Sequence, residues 1–286
     1  MLVRMIQIYH IIRKSAEEVN EKNISTFAAK AAYFIILSFI PFLILLMTLL
    51  QFTRFQQEDV MQLFHQTVPE TIEPFINSIV SEIYEKSSTT VISISVVATM
   101  WTAGKGVTAV IQGLNSAYGL KETRNYFLQR VVGTLYTIMM ILAVVLLLVL
   151  VVFGNKLQSL FAPHFPMINV LVISLLKFRF VIVLIVLTLL FTFMYVTMPN
   201  HKKLHGKKIK ERFRAHEPGA VFTALAWGLF SFFFSIYVDQ FSNMTYTYGS
   251  LTTIVVVMIW LYMCMYIMLI GAMVNGWYCN IKENMK

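Results

Sequence analysis

Six long apolar runs, almost free of charge, constrain this chain more than any other feature. They cover residues 27–52, 91–116, 131–154, 180–198, 220–238 and 251–277. A helix of about 20 apolar residues covers the roughly 30 Å hydrocarbon layer of a membrane. Hydrophobic residues make up 58% of the chain and charged residues only 13%, a balance outside the range of ordinary soluble domains. The sequence therefore predicts an all-α membrane protein with six transmembrane helices.

The 23 Lys and Arg residues are distributed unevenly between the connections. Most of them lie before the first run, between the second and third, between the fourth and fifth, and after the last. The positive-inside rule places these connections in the cytoplasm. The prediction is a single membrane domain over residues 1–286, with both termini cytoplasmic and three helical hairpins pointing outward, as a multi-pass protein of the bacterial cytoplasmic (inner) membrane.

Several shorter segments are expected to lie at the membrane surface. Residues 1–14, 72–83 and 167–176 are apolar or amphipathic but too short or too polar to cross, which is typical of interfacial helices. Residues 201–216, HKKLHGKKIKERFRAH, form the most basic segment. Positive-inside bias by itself accounts for the net charge of +9; alternatively, this segment binds anionic lipid headgroups, at about 1 kcal/mol per basic residue. No nucleic-acid partner is expected, and oligomer formation stays open.

The second run contains a lysine between two glycines. In TMWTAGKGVTAVIQGLNSAYG, Lys105 follows Gly104 and precedes Gly106. Helical spacing places small and polar residues on one face and large apolar residues on the other, so we expect Lys105 to point into the bundle. The polar face comprises Ser95, Ala98, Thr102, Lys105, Ala109, Gln112 and Ser116, and the face expected to contact lipid comprises Val96, Met100, Val107, Val110, Ile111 and Leu114. A phosphate-binding loop is excluded because such a loop needs Ser or Thr after the lysine and a preceding strand.

Similar ridges of small and polar residues occur in the fifth and sixth runs. Such ridges either pack helices together, because small and polar residues join membrane helices, or line a polar cavity that holds a substrate. The candidate cavity residues are Lys105, Gln112, Asn115, Ser231, Ser235, Asp239 and Asn275.

No catalytic constellation is evident in the sequence. His201 and His205 are four residues apart but lie in a lysine-rich segment without cysteine or clustered carboxylates. The metalloprotease motif and the Gly-x-Ser-x-Gly elbow are both missing. We therefore expect no enzyme activity, no metal and no cofactor.

Three segments carry a resemblance to a known family. AAYFIILSFIPFLILL, MWTAGKGVTAVIQGLNSAYG and the long block that begins EPGAVFTALAWGLF resemble the YihY/BrkB family of bacterial inner-membrane proteins, in the right order along nearly the whole chain. The residues of these motifs or of the expected helix contacts are Pro41, Gly106, Gly113, Pro218, Gly219, Trp227, Tyr237, Tyr248, Gly249, Ser250, Trp260, Tyr262 and Gly271.

The resemblance implies six membrane helices and a role in envelope or lipid homeostasis. Members of this family were once labelled as a ribonuclease, but no catalytic group for that activity is evident in this sequence. One position departs from the family pattern, because Met273 stands where the family commonly has a glutamate; proton coupling through that acid is thereby in doubt. The leading hypothesis is a transporter-like protein for a lipid or other amphiphile, and the alternative is a non-transporting scaffold that organises envelope machinery.

Overall fold

The computed structural model describes residues 13–51, 81, 89–125, 127–129, 131–139, 179–200, 209–240 and 250–284. Five long helices account for most of these residues. They are α1 (Ile24–Gln51), α2 (Thr89–Ala117), α3 (Arg179–Thr197), α4 (Ile209–Gln240) and α5 (Ser250–Asn284). Shorter helical stretches cover residues 13–21 and 131–139. Every regular element within these ranges is helical, which confirms the all-α prediction for this part of the chain.

Three of the described helices are long and apolar enough to cross a membrane. These segments are Phe180–Thr197, Glu211–Val238 and Ile254–Cys279, and α1 contains a shorter apolar stretch at Ile24–Phe39. Helices α1 and α2 coincide with the first two predicted spans. Most of the third span lies outside the described residues, as do nearly all of the three proposed interfacial segments. The six-span, three-hairpin topology therefore stays a prediction.

Helix α5 lies at the centre of the described bundle. It packs against α1, α2 and α4, and Tyr195 of α3 reaches its backbone at Met268. Ring contacts between Phe191 and Trp227 and between Trp227 and Trp260 continue from α3 through α4 to α5. The large, fully buried side chains of the core come from α1, α2, α3 with the residue that follows it, and α5, and α4 adds the small buried side chains of Ala220 and Ala224. One continuous core therefore holds the described bundle together.

One end of the bundle collects most of the hydrogen bonds between elements. Residues 18–23, 115–124, 196–200, 212–219 and 275–279 meet there. We call this the polar end. It contains the connections that the charge pattern predicts to be cytoplasmic.

Helix α2 ends in a turn that its sequence favours. Gly119 has a φ of 63°, a left-handed conformation that costs glycine little. The amide of Leu120 donates to the Asn115 carbonyl at 2.7 Å, and that of Gly119 donates to the Ser116 carbonyl at 3.0 Å. This is the Schellman pattern of helix termination. It directs the chain back across the polar end, where Glu122 and Arg124 are needed.

The predicted orientation of α2 is wrong in one respect. Four of the residues expected to face lipid, Val107, Val110, Ile111 and Leu114, are buried in the core. Lys105, Gln112 and Ser116 are instead only partly buried, on another face of the helix. The physical reason is that α2 contacts both α1 and α5, and large apolar side chains fill the space between three helices better than short polar ones.

Helix α4 begins earlier than the predicted span. The helix starts at Ile209, so residues 209–216, expected as part of a basic loop, are helical. Glu211 lies in the first turn, where a carboxylate interacts favourably with the helix dipole. Lys, Glu and Arg are also good helix formers. The basic segment is therefore in part a continuation of α4.

Candidate functional site

Helices α4 and α5 cross with their backbones in contact at two glycines. A Cβ atom added to Gly219 would collide with the Gly271 carbonyl oxygen, and one added to Gly271 would collide with the Thr223 hydroxyl. Both glycines are buried. Because lipid offers no hydrophobic drive for helices to associate, close backbone approach through small residues is a main source of their packing energy. We call this contact the tight crossing.

Asn275 joins three elements beside the tight crossing. Its side chain is fully buried; Oδ1 accepts a hydrogen bond from the Gly219 amide at 2.6 Å, and Nδ2 donates to the Tyr118 hydroxyl at 3.2 Å. Pro218, the preceding residue of α4, has no N–H, so this turn already lacks one helical hydrogen bond. Asn275 therefore connects α5 both to the proline turn of α4 and to the residue that follows α2.

A pair of buried hydroxyls completes the tight crossing. The Tyr195 hydroxyl lies 2.7 Å from Thr223 Oγ1 and 2.6 Å from the Met268 carbonyl oxygen, and Thr223 Oγ1 lies 2.8 Å from the Gly219 carbonyl oxygen. Each hydroxyl has a single proton. Two protons therefore serve three contacts, and the pair has two hydrogen-bonding arrangements that differ in which backbone carbonyl is bonded.

Glu122 joins the connection after α2 to the end of α3. It accepts hydrogen bonds from the Arg124 guanidinium at 2.8 and 2.7 Å and from Asn115 Nδ2 at 2.7 Å. Arg124 also donates to the Met198 carbonyl at 3.0 Å, and the Asn200 amide donates to Asn115 Oδ1 at 2.8 Å. The bonds from Arg124 outweigh burial and lower the pKa of Glu122 to about 2. The carboxylate is consequently ionised at neutral pH.

The N-terminal helical stretch is attached to the same end by Glu18 and Lys22. Lys22 Nζ donates to Glu18 Oε1 at 2.6 Å and to the Ala117 carbonyl at 2.8 Å. Trp277 Nε1 donates to the other carboxylate oxygen of Glu18 at 2.7 Å. Burial tends to raise the pKa of Glu18, but the bonds from Lys22 and Trp277 prevail and lower it. These contacts tie residues 13–22 to α2 and α5.

Arg212 is a second arginine at the end of α3. It donates to the Val196 carbonyl at 3.0 Å, so arginines bond two carbonyls near the C-terminus of that helix, where a positive charge is favourable. Its Nε atom is buried and has no hydrogen-bond partner within the part of the chain that the structure describes. A buried donor without an acceptor is costly.

An open groove lies between α4 and α5 toward the other end of the pair. Its volume is about 280 Å³, and Ser231, Ser235 and Trp260 line it together with apolar side chains of both helices. Trp260 Nε1 donates to Ser231 Oγ at 3.2 Å. Trp260 lies fifteen positions before Asn275, or about 22 Å along α5. The groove is thus well separated from the tight crossing.

Lys105 lies on the outer flank of α1 and α2, away from the groove. Its Nζ is 5.3 Å from the centroid of the Phe34 ring and 5.7 Å from that of Trp101. An ammonium group within a span costs about 2.5–3.5 kcal/mol, and cation–π contacts of about 0.5–2 kcal/mol offset part of this cost. Ser116, which bonds to the Lys22 carbonyl, is eleven positions away, so Lys105 lies about 16 Å along α2 from the polar end.

The predicted cavity residues do not converge on one site. Ser231 and Ser235 share the groove, as predicted for an internal polar surface. Asn115 and Asn275 belong to separate hydrogen-bond networks at the polar end, whereas Lys105 lies on the outer flank. Gln112 also lies on that flank, where it accepts a hydrogen bond from Lys30 at 3.0 Å. The side chain of Asp239 is outside the described part of the chain.

The predicted packing glycines outside the tight crossing also lie at helix contacts. A Cβ on Gly113 would be 2.8 Å from a methyl carbon of Leu269, and one on Gly106 would be 3.3 Å from Ile35. These positions contact α5 and α1 respectively. Gly106 and Gly113, which were predicted to pack helices together, thus lie where an added Cβ would press against a neighbouring helix.

The aromatic motif residues lie mainly between the tight crossing and the groove. Trp227 and Trp260 have ring centroids 6.4 Å apart, and Tyr262 lies 6.0 Å from the ring of Tyr266. Tyr237 is 53% exposed. Ser250 is the first residue of α5, while Tyr248 and Gly249 lie outside the described residues.

Pro41 does not end the first helix. Helix α1 continues through it to Gln51. One turn earlier, the buried Ser38 hydroxyl donates to the Ile35 carbonyl at 2.7 Å. The structure thus places Pro41 and Ser38 in the interior of one continuous helix.

Several residues of the polar end were not predicted from the sequence. Arg124 and Arg212 were counted only as loop charges, and Glu122 was not singled out. Tyr195, the last tyrosine of an otherwise apolar span, offered a signal, since a polar tip within a span needs a partner. Asn200 offered none, because its role depends on a contact with residues more than 70 positions away.

Comparison with known proteins is consistent with this arrangement. The family described as Virulence factor BrkB matches residues 15–284. A ribonuclease-like protein of Bacillus subtilis (strain 168), YfkH, is 31% identical over 249 residues, which is 87% of this chain and 88% of that protein. No solved structure matches the chain.

Two further relatives carry membrane-protein names. The UPF0761 membrane protein IL2447 of Idiomarina loihiensis is 35% identical over 30% of this chain and 27% of its own length. The UPF0761 membrane protein PSHAa0171 of Pseudoalteromonas translucida is 28% identical over 34% of this chain and 29% of its own length. With a family match over nearly the whole sequence and three apolar helices of membrane-spanning length, this chain is a membrane protein that belongs to the BrkB family.

Proposed function

We propose that the protein is a transporter-like protein of the bacterial inner membrane that handles a lipid or other amphiphile and takes part in envelope homeostasis. The observation that carries this proposal is the open groove between α4 and α5. Apolar walls with a few placed hydroxyls suit a ligand that is mostly hydrocarbon with a small polar part. Ser231 and Ser235 would bond that polar part.

The surroundings of the groove support entry from the side. Leu229, Phe232 and Phe233 of α4 are each at least 60% exposed, and in a membrane such a surface contacts lipid chains. A hydrocarbon chain reaches the groove along this surface without crossing a water-filled space. The tight crossing lies beyond the inner end of the groove, so passage through that contact would require α4 and α5 to separate.

The basic segment supplies a second proposed lipid contact. Arg214 is exposed, and residues 201–216 carry further basic side chains. Anionic headgroups are the acceptors that a membrane surface offers to such groups. We propose that they bind at residues 201–216, with no nucleic-acid partner and no catalytic role.

Reconstitution tests the transport proposal. Fluorescent phospholipids and a panel of other amphiphiles are followed in liposomes that contain the purified protein. Ser235→Trp, which fills the groove, is expected to abolish movement, whereas Phe232→Trp, on the exposed face of the same helix, should leave it unchanged. Movement no faster than in empty liposomes across the panel would contradict the proposal.

The tight crossing favours a second candidate, a non-transporting scaffold. Backbones in contact at Gly219 and Gly271, with buried hydrogen bonds on either side, form a rigid joint suited to holding other proteins in place. A scaffold predicts a stable partner that co-purifies with the protein. It also predicts that filling the groove has no effect on envelope integrity.

The six-span topology is part of the same proposal. Single cysteines introduced at Lys207 and Glu82, in a background without Cys264 and Cys279, should react with an impermeant reagent from opposite sides of the membrane. Reaction of both from one side would contradict three outward hairpins. Neither native cysteine forms a disulfide, so their removal breaks none.

A further inference from the structure

One flank of the bundle combines two cations with an aromatic and aliphatic surface. We call it the α1–α2 flank; it comprises Lys30, Phe34, Trp101, Lys105 and Gln112. Lys30 Nζ donates to Gln112 Oε1 at 3.0 Å, and Lys105 Nζ lies over the rings of Phe34 and Trp101. Both pairs join α1 to α2. The two lysines therefore lie along the same seam, and their contact positions on α2, Lys105 itself and Gln112, are about 10 Å apart along the helix.

Neither lysine has an anionic partner in the described part of the chain. The ion pairs there are Arg13–Glu17, Lys22–Glu18 and Arg124–Glu122. An ammonium group has three donors, and the faces of Phe34 and Trp101 attract its charge without accepting a full hydrogen bond. The flank thus has an excess of positive charge and unused donors.

The order of residues along α2 matches the order of groups in a phospholipid. From the polar end, Gln112 with its partner Lys30 comes first, Lys105 next and Trp101 one turn further. Val97 and Ile94 follow, and they are 66% and 63% exposed. Polar, cationic, aromatic and aliphatic surfaces therefore succeed one another from the polar end toward the interior of the membrane.

We propose that the α1–α2 flank binds the phosphate of a phospholipid between Lys30 and Lys105. The acyl chains lie along Trp101, Val97 and Ile94. Charge selects the ligand, because two ammonium groups without a carboxylate complement a phosphodiester. The flexible side chains of the two lysines reach the phosphate from opposite ends of the seam. An anionic headgroup binds more tightly than a zwitterionic one because no acidic residue of the flank pairs with an added choline or amine.

This site is separate from the groove between α4 and α5. It lies on other helices, and a lipid bound there need not move across the membrane. Failure of the transport proposal therefore leaves this one intact. Conversely, liposomes that contain the Ser235→Trp variant are expected to lose lipid movement, while the variant still binds lipid at Lys105.

Equilibrium binding to the purified full-length protein in detergent micelles tests the proposal. The probes are phosphatidylglycerol, the matched diacylglycerol without phosphate, and inorganic phosphate. Lys105→Met and Lys30→Met are each expected to weaken phosphatidylglycerol binding about fivefold, and Lys105→Arg to retain it. Lys121→Met is the matched control because Lys121 is exposed at the polar end; it should change nothing.

Three results would overturn the proposal. Diacylglycerol bound as tightly as phosphatidylglycerol would remove the role of the phosphate. Inorganic phosphate that displaces the lipid at equal concentration would reduce the flank to a simple anion site. Unchanged lipid affinity in Lys30→Met, whose exposed side chain is not needed for folding, would exclude the site even if Lys105→Met failed to fold.

Discussion

The two halves of the α4–α5 pair contain similar residues but pack differently. Near the polar end, Gly219 lies against Gly271, and buried hydrogen bonds surround the contact. Nine residues further along α4, an added Cβ at Gly228 would meet no atom of another described element within 4 Å. The same helix thus carries one glycine that the fold requires and another that it does not.

The difference shows how this pair of helices is stabilised. At the tight crossing, the gain comes from backbone contact and from polar groups that bond across the interface, since lipid is as apolar as leucine. In the outer half the side chains are bulky, and the helices leave a groove. The tight crossing therefore stabilises the α4–α5 pair at one end, and the groove leaves the other end open to a ligand.

The largest expected effect is that of a single methyl group at the tight crossing. Gly219→Ala places a Cβ against the Gly271 carbonyl and Asn275, and should destabilise the fold by about 3 kcal/mol. Gly228→Ala, the matched control, has room for its methyl group and should stabilise the helix by up to about 1 kcal/mol. Thermal unfolding in detergent measures both. Equal tolerance of the two substitutions would mean that α4 and α5 do not touch at Gly219.

Removal of the Asn275 side chain should have the next largest effect. Asn275→Ala leaves the Gly219 amide without its interhelical acceptor in a buried setting, at a cost of about 2 kcal/mol. Ser231→Ala, which removes a hydroxyl from the groove, should cost under about 0.5 kcal/mol. Asn275→Ala alters the tight crossing and Ser231→Ala alters the groove. Similar unfolding temperatures of the two variants would show that both ends of the α4–α5 pair contribute equally to stability.

Glu122 makes the polar end sensitive to acid. Its pKa is lowered from 4.5 to about 2 in the folded protein, so the stabilisation is present above pH 4.5 and is lost as the pH falls toward 2. Glu122→Gln should destabilise the protein by about 1.5 kcal/mol at neutral pH and flatten the pH dependence in that window. Unfolding curves recorded across the window test this. If the stability of the wild-type protein does not fall between pH 4.5 and about 2, the Glu122–Arg124 ion pair does not stabilise the polar end.

The smallest expected effect on stability is that of filling the groove. Ser235 is exposed, and Ser235→Trp should change the free energy of unfolding by less than about 0.5 kcal/mol. The same change is expected to abolish lipid movement. A large loss of stability would show that the groove closes in solution and belongs to the core.

Much of the fold was predictable because the signals were local. The first, second, fourth and sixth apolar runs coincide with helices to within a few residues, since helix length follows from the length of an apolar run. Gly106, Gly113, Gly219 and Gly271 were identified as contact residues because only small side chains admit a neighbouring backbone. The start of α4 was missed because a lysine-rich segment reads as a loop when only hydropathy is considered.

The candidate site was predicted less well because it depends on which helices meet. Polar residues of α2 were expected to face inward, yet Lys105 and Gln112 contact α1 on the flank. Asn115 and Asn275 were predicted to line a polar cavity, and the structure places each in a hydrogen-bond network between elements. Nothing in the sequence indicated that one would bond Glu122 and the other Gly219.

The sequence by itself determined that this chain is helical, apolar enough for a membrane, and joined through small residues, because hydropathy, helix propensity and side-chain volume are properties of single residues and short segments. The tertiary structure decided which glycine lies at a backbone contact, which hydroxyls line a groove and which lysines face no carboxylate among the described residues. Those properties depend on how helices that are distant in sequence pack together, and a rotation of α2 by half a turn about its axis would exchange its buried and exposed faces.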